Sequence, residues 1–217
     1  MTSEDRPAPT ADLFDTMRTA RAIRRFRPDP VPDEVLLECL EAATWAPSGS
    51  NRQGWRFVVL RSPEARALLG RAYRRGWTDK AGPAGMPPPA PDDTSPRAKA
   101  TRAMQHFVEH FEEIPAYVLF CVHDKGRRPH VTDGGSIYPA MQNFLLAARA
   151  AGLGAVVTMW FTYCEKELRE LIGIPDDFLL AALVPVGYPQ GSHGPVRRRP
   201  VAEVAFRDRW GESLASG

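Results

Sequence analysis

Apolar residues recur along the chain in two rhythms, and the switches between them outline its elements. Leu13, Met17 and Ala20 fall on one face at helical spacing, so residues 11–22 read as a short helix with that stripe buried. The stretch RPDPVPDE is a turn. Pro32 opens a second helix, with Asp33 and Glu34 in its first turn, where the helix dipole favours acids. Leu36, Leu40 and Ala43 form its buried stripe, and Pro47 stops it. WRFVVLR (55–61) is a strand, residues 63–76 and 99–113 are helices, and AYVLFCV (116–122) is a second strand. A helix at 136–151, a strand at 153–160, a short helix at 165–172 and a strand at 179–187 complete the pattern. Residues 1–10 read as a frayed end, and 195–217 as a polar tail that starts with a basic cluster. No internal repeat is present.

Two segments stand out. Residues 79–98, DKAGPAGMPPPAPDDTSPRA, are so rich in Pro and Gly that no regular element is expected, and they read as a surface insertion or lid. In helix 136–151, Ile137, Met141, Phe144, Leu145 and Ala148 form one stripe, while Ala140, Ala147 and Ala151 make the other side small and apolar too. A helix apolar nearly all round is buried on all sides. It is either central to its own core or packed against a partner subunit, and periodicity alone does not choose.

Composition narrows the class. The chain has 217 residues, which suits one domain, and 43% of them are hydrophobic, enough for a core. A formal charge of +2 is too small to imply nucleic acid. No apolar run approaches the roughly 18 residues of a membrane span. The start, MTSEDRPAPTADLF, lacks the basic and apolar regions of a signal peptide, so the expected compartment is the cytosol. Cys39, Cys121 and Cys164 are odd in number and far apart, which fits buried small hydrophobes rather than disulfides or a CxxC pair.

Three polar clusters lie outside the periodic segments: RAIRRFR (21–27), APSGSNRQGWRF (46–57) and RRR (197–199). Arginine carries a fixed fork of donors suited to phosphate. The two Arg clusters are either solvated patches or two halves of one phosphate site. The middle string ends a helix, yet a simple loop does not need Ser48, Asn51 and Gln53 together. Asn and Gln each offer donor and acceptor, which suits a ligand edge that alternates the two, such as the pyrimidine side of a flavin. Gly49 and Gly54 permit close backbone approach. His106 and His110 stand at i and i+4, but with no third ligand evident they read as a solvated or helix-packing pair. Asp133 with Gly134 and Gly135 reads as a helix-start turn. There is no P-loop, no GxGxxG after a strand, and no defensible Ser-His-Asp set; Ser48 lacks a nucleophile-elbow context.

RAIRRFRPDPVPDEVLLECLEAATWAPSGSNRQGWRFVVL resembles the N-terminal signature of the FMN-dependent nitroreductase family, in which RRSxRxF precedes a helix, APSxxNxQPW and a strand. YPAMQNFLLAARAAGLGAVVTMW resembles the second block of that family, and VGYP with RRRPVAEV resembles its ending. Three motifs in one order carry the resemblance. It implies an α+β fold with a central, mostly antiparallel sheet flanked by helices, in an intertwined homodimer with the 136–151 helix in the dimer core. It implies one FMN-binding domain over 11–204, with the insertion at 79–98 and tails at 1–10 and 205–217. Arg21, Ala22 and Arg24 occupy the phosphate and ribityl positions, and Arg197 or Arg199 with Arg198 closes on the phosphate. Ser48, Gly49, Asn51 and Gln53 line the ring, with Thr158 and Met159 near its N5. The implied activity is hydride transfer from NADH or NADPH to a flat nitroaromatic or quinone in ping-pong order, with no side-chain nucleophile and no metal. Trp77, Tyr138, Trp160 and Phe161 are candidates to stack on the acceptor, or core residues. The same fold also hosts reductive dehalogenation, metabolite dehydrogenation, flavin destruction and flavin binding without turnover. No nucleic-acid or membrane partner is implied.

The chain departs from the family pattern at four positions. Ala22 replaces a Ser, and Ala20 stands where Arg is frequent, so two phosphate or ribityl contacts are gone. Gly54 replaces the Pro of QPW, and Met159 replaces a small hydroxyl residue.

Overall fold

Strand β2 (Ala116–His123) is apolar over its first seven positions and buried at the first six, the signature of a strand covered on both faces. The computed structural model, which describes residues 12–81, 89–124, 126, 134–191 and 194–214, places β2 between β1 (Trp55–Leu60) and β4 (Phe178–Gly187). The short β3 (Gly154–Ala155) pairs with the outer side of β4, and all pairings are antiparallel. The sheet order is β1-β2-β4-β3.

Helices cover both faces. Helices α2 (Asp33–Thr44) and α5 (Gly134–Ala150) share one core with Val118, Phe120 and Val184. Phe144 of α5 meets Phe120 edge-on, with ring centroids 5.6 Å apart. Helices α3 (Pro63–Ala81), α4 (Pro96–Glu109) and α6 (Glu165–Ile172) build a second core on the other face with Tyr117, Leu119 and Leu183. The result is an α+β sandwich around an antiparallel sheet, as the resemblance implied.

Several expectations need correction. Helix α1 (Leu13–Thr19) is shorter than 11–22, and it turns its expected stripe outward: Leu13 is 61% exposed and Met17 51%, while Thr16 and Thr19 are buried. The expected strand 153–160 is regular only at 154–155. Opposite Val156 stands Pro185, which has no N–H to complete the ladder. Pairing resumes only as a bridge between Thr158 and Leu183, and Trp160 begins a 3-10 turn.

Helix α3 runs to Ala81 instead of stopping at 76. Gly76 lies inside the helix as a packing residue: a Cβ there would meet Trp160 Cδ2 at 2.9 Å. Helix α4 starts three residues early, because Ser95 accepts from the Ala98 N–H and Pro96 sits where its missing N–H costs nothing. The ends of the 79–98 segment are therefore helical, and residues 82–88 lie outside the described residues, as does Asp133. The three cysteines are buried and unpaired, and burial pushes the Cys39 thiol up to about 12.

Candidate functional site

The first Arg cluster is extended, not the end of a helix. Helix α1 closes at Thr19, and Ala22 then pairs in parallel with Ala155 at the free edge of β3. The Ile23 N–H donates to the Ala155 carbonyl at 3.1 Å. Gly154 lets that segment approach closely, since a Cβ would meet the Ile23 side chain at 2.8 Å. Downstream, Phe26 bridges to Pro189, and the Arg27 N–H donates to Tyr188 at 2.8 Å.

Between this segment, the second half of α5 and the stretch after β4 lies a cleft of about 480 Å³. Four guanidinium groups line it, those of Arg21, Arg24, Arg149 and Arg198, and no lining residue is acidic. Arg21 Nη1 donates to the Gly194 carbonyl at 3.3 Å, which ties the two ends of the chain together. Arg24 is half-buried, and burial holds it below the ordinary arginine value. Among the described residues nothing accepts a hydrogen bond from its side chain. Half-buried cations without carboxylate partners suit a polyvalent anion, because a bound anion supplies the charge and acceptors that water alone provides otherwise. Ala22, Val156 and Val157 add small and apolar lining. Arg197 and Arg199 are exposed and lie outside the lining.

The polar string is strained. Ser50, Asn51 and Gln53 have φ of 53°, 52° and 49°. Asn visits this left-handed region readily, whereas Ser and Gln pay about 1–2 kcal/mol each. The Gln53 N–H donates to Ser48 Oγ at 3.1 Å, and Gln53 Nε2 donates to Asn51 Oδ1 at 3.1 Å. The Gly49 N–H donates to Ser136 Oγ at 3.3 Å, which pins the string to the start of α5. Within one chain none of residues 48–53 lines the cleft; the string sits at the N-terminal end of α5 and the cleft along its C-terminal half.

Thr158 turns its hydroxyl inward, 2.7 Å from the buried Tyr73 hydroxyl. Met159 is 45% exposed and Tyr138 46%, so both offer apolar surface. Trp160 is half-buried against Tyr73, with ring centroids 5.7 Å apart. Phe161 is a core residue, fully buried, and offers no face to a ligand. Trp77 is half-buried on α3.

Arg149 was missed from the sequence, as was Gln142 beside it in the cleft. The signal was present, because Arg149 is the single charged residue of α5. A second cavity, about 200 Å³, lies on the other side of Arg24 and is lined by His106, His110 and Glu113. His110 Nδ1 lies 2.9 Å from a Glu113 oxygen. Burial, then the neighbouring His110 and Arg25, hold His106 below the ordinary histidine value. Among the described residues no group of three or more His, Cys, Asp or Glu side chains is arranged to hold a metal ion. No described helix is long and apolar enough to cross a membrane.

Known proteins are similar to this chain in sequence and in fold. An NADH dehydrogenase of Thermus thermophilus is 31% identical over 210 residues, covering 91% of this chain and 97% of its own. An iodotyrosine deiodinase of Thermotoga neapolitana is 28% identical over 200 residues, covering 90% of this chain and 96% of its own. Among solved structures, a Desulfovibrio desulfuricans protein described as a nitroreductase in complex with FMN superposes with a TM-score of 0.66 at 25% identity, over 92% of this chain and 98% of its own. The Nitroreductase family profile matches residues 17–188, from α1 through β4 and across every segment that lines the cleft except the C-terminal arm, and the chain therefore belongs to the nitroreductase family.

Proposed function

We propose that this chain binds FMN and acts, as a homodimer, as an oxidoreductase that takes hydride from NADH or NADPH and passes it to a flat organic acceptor such as a nitroaromatic or quinone, in ping-pong order. The observation that carries the reading is the cleft with four guanidiniums and no carboxylate. Its donor set fits a phosphate monoester, and its apolar wall along Val156 and Val157 fits a flat ring. When bound, FMN supplies the two-electron redox chemistry. The chain supplies binding and orientation. Arg21, Arg24 and Arg198 hold the phosphate. Ser48, Asn51 and Gln53 present donors and acceptors to the ring edge, while Tyr138 and Trp160 offer faces to the acceptor.

The length of α5 supports the homodimer. Ser136, which holds the string, and Arg149, which lines the cleft, are thirteen positions apart, about 20 Å along the helix axis. One chain keeps its string and its Arg cleft at opposite ends of that rod. Two copies with antiparallel α5 helices bring the string of each to the cleft of the other. Exposed Leu13, Phe14, Met17, Leu37 and Trp45 provide apolar surface for such a contact.

The test is direct. Purified protein is expected to show flavin absorbance, to release FMN on heating, and to oxidise NADH or NADPH when a quinone or nitroarene is supplied. A colourless protein that takes up no added FMN refutes the reading. A second reading, reductive dehalogenation, draws on relatives named iodotyrosine deiodinase from a bacterium, a fly and mammals. Iodide release from 3-iodotyrosine under reducing conditions tests it.

A further inference from the structure

We infer that Arg149 is a phosphate-binding residue of the cleft, which replaces the contacts that Ala20 and Ala22 cannot make. The inference rests on the FMN reading above and adds a residue outside the two Arg clusters.

Arg149 occupies the last turn of α5 and is half-buried. Its Nε donates to Thr19 Oγ1 at 3.1 Å. Thr19 in turn donates its hydroxyl hydrogen to the Asp15 carbonyl at 2.7 Å. That second bond fixes the Thr19 oxygen as an acceptor, so the buried end of α1 acts as a clamp on one edge of the guanidinium. The two Nη groups have no hydrogen-bond partner among the described residues. Arg149 lines the same cleft as Ala20, Arg21 and Ala22, and a fork held at Nε with its Nη groups free is built to meet an oxygen-rich anion.

The geometry also explains why Arg149 is tolerated there. Elsewhere α5 carries no charge, and a lone half-buried guanidinium in an apolar helix costs desolvation without a partner. Its position in the last turn recovers part of that cost from the helix dipole, and the phosphate supplies the missing counter-charge. At positions 20 and 22 the methyl side chains leave a donor deficit in the cleft that Arg149, lining it from α5, is placed to make up.

The experiment compares two flavins. Flavin-free protein, wild type and Arg149→Gln, is titrated with FMN and with riboflavin, which shares the ring but lacks the phosphate, and quenching of flavin fluorescence gives each Kd. The expected result is an FMN Kd raised about tenfold in Arg149→Gln, equivalent to about 1.4 kcal/mol, with the riboflavin Kd within about twofold of wild type. An unchanged FMN Kd, or an equal rise for both flavins, overturns the inference, because the residue is then either idle or merely structural. Thr19→Val offers a second handle if Arg149→Gln does not fold. It removes the clamp at constant shape and is expected to weaken FMN about threefold and riboflavin not at all; no FMN-specific loss overturns the inference. Wild type that binds both flavins equally tightly sinks the phosphate role and leaves the flavin reading intact. Wild type that binds neither sinks the flavin reading itself.

Discussion

Tyr73→Phe isolates one buried polar contact on the sheet face away from α5. The Tyr73 hydroxyl lies 2.7 Å from Thr158 Oγ1, and the Tyr73 residue is completely buried. Burial pushes its phenol far above the ordinary tyrosine value, so the group stays protonated and the contact is a hydrogen bond between neutral hydroxyls. Phe keeps the ring, and with it the stack on Phe111 at 3.7 Å and the edge contact with Phe107 at 6.2 Å. No cavity opens beyond one oxygen atom. The loss is then the net value of one hydrogen bond plus the cost of a Thr158 hydroxyl left without its partner, together about 2 kcal/mol. For a chain of this size that lowers Tm by about 4–8 °C. Urea unfolding followed by circular dichroism checks it, with the midpoint reduced and the slope unchanged. The isosteric Thr158→Val is expected to cost a similar amount. The double variant is expected to cost less than the sum, since no Thr158 hydroxyl is then left without its partner. A Tyr73→Phe midpoint equal to wild type, or a strictly additive double variant, refutes the reasoning.

Three further outcomes are expected. Phe144→Ala removes a fully buried ring between α5 and β2 and is expected to cost about 3–5 kcal/mol in urea unfolding. His106 takes up its proton less readily in the folded chain than in the unfolded one, so stability is expected to fall as pH drops below about 6.5 and to level off once the folded form is also protonated. His106→Gln is expected to flatten that slope in melts between pH 7.5 and 5. Burial raises all three thiols, Cys121 and Cys164 to about 11, so a thiol reagent at pH 8 is expected to label none in the native state and three after denaturation.

The sequence was most readable where local pattern and burial coincide. Strands β2 and β4 and helices α5 and α6 lie within two residues of their expected bounds, because runs of Val, Leu and Phe and the 3.6-residue stripe are themselves the burial signal. It was least readable where a neighbour from far along the chain decides. Pro185, thirty residues downstream, interrupts the strand expected at 153–160. Trp160 packs against Gly76 inside α3, a contact that the end expected at 76 could not show. The helical spacing of Leu13 and Met17 was real, but this chain alone offers that face no cover. At the candidate site, the Arg clusters and the string were visible as residue types. That they occupy opposite ends of one helix was not, because it depends on how α5 lies between them.

The strained turn at Ser50, Asn51 and Gln53 sets a bias on how this chain responds to selection. Glycine at 50 or 53 adopts the left-handed backbone without a Cβ penalty, so either change relieves local strain at no cost to the core. A library screened only for heat resistance is therefore drawn toward positions in the turn that carries the polar string. Survivors with glycine at 53 gain stability by discarding a side chain proposed to face the flavin ring, and the same screen run with retained flavin binding as a second criterion keeps it. The loop thus stores a trade between durability and recognition in two backbone torsions.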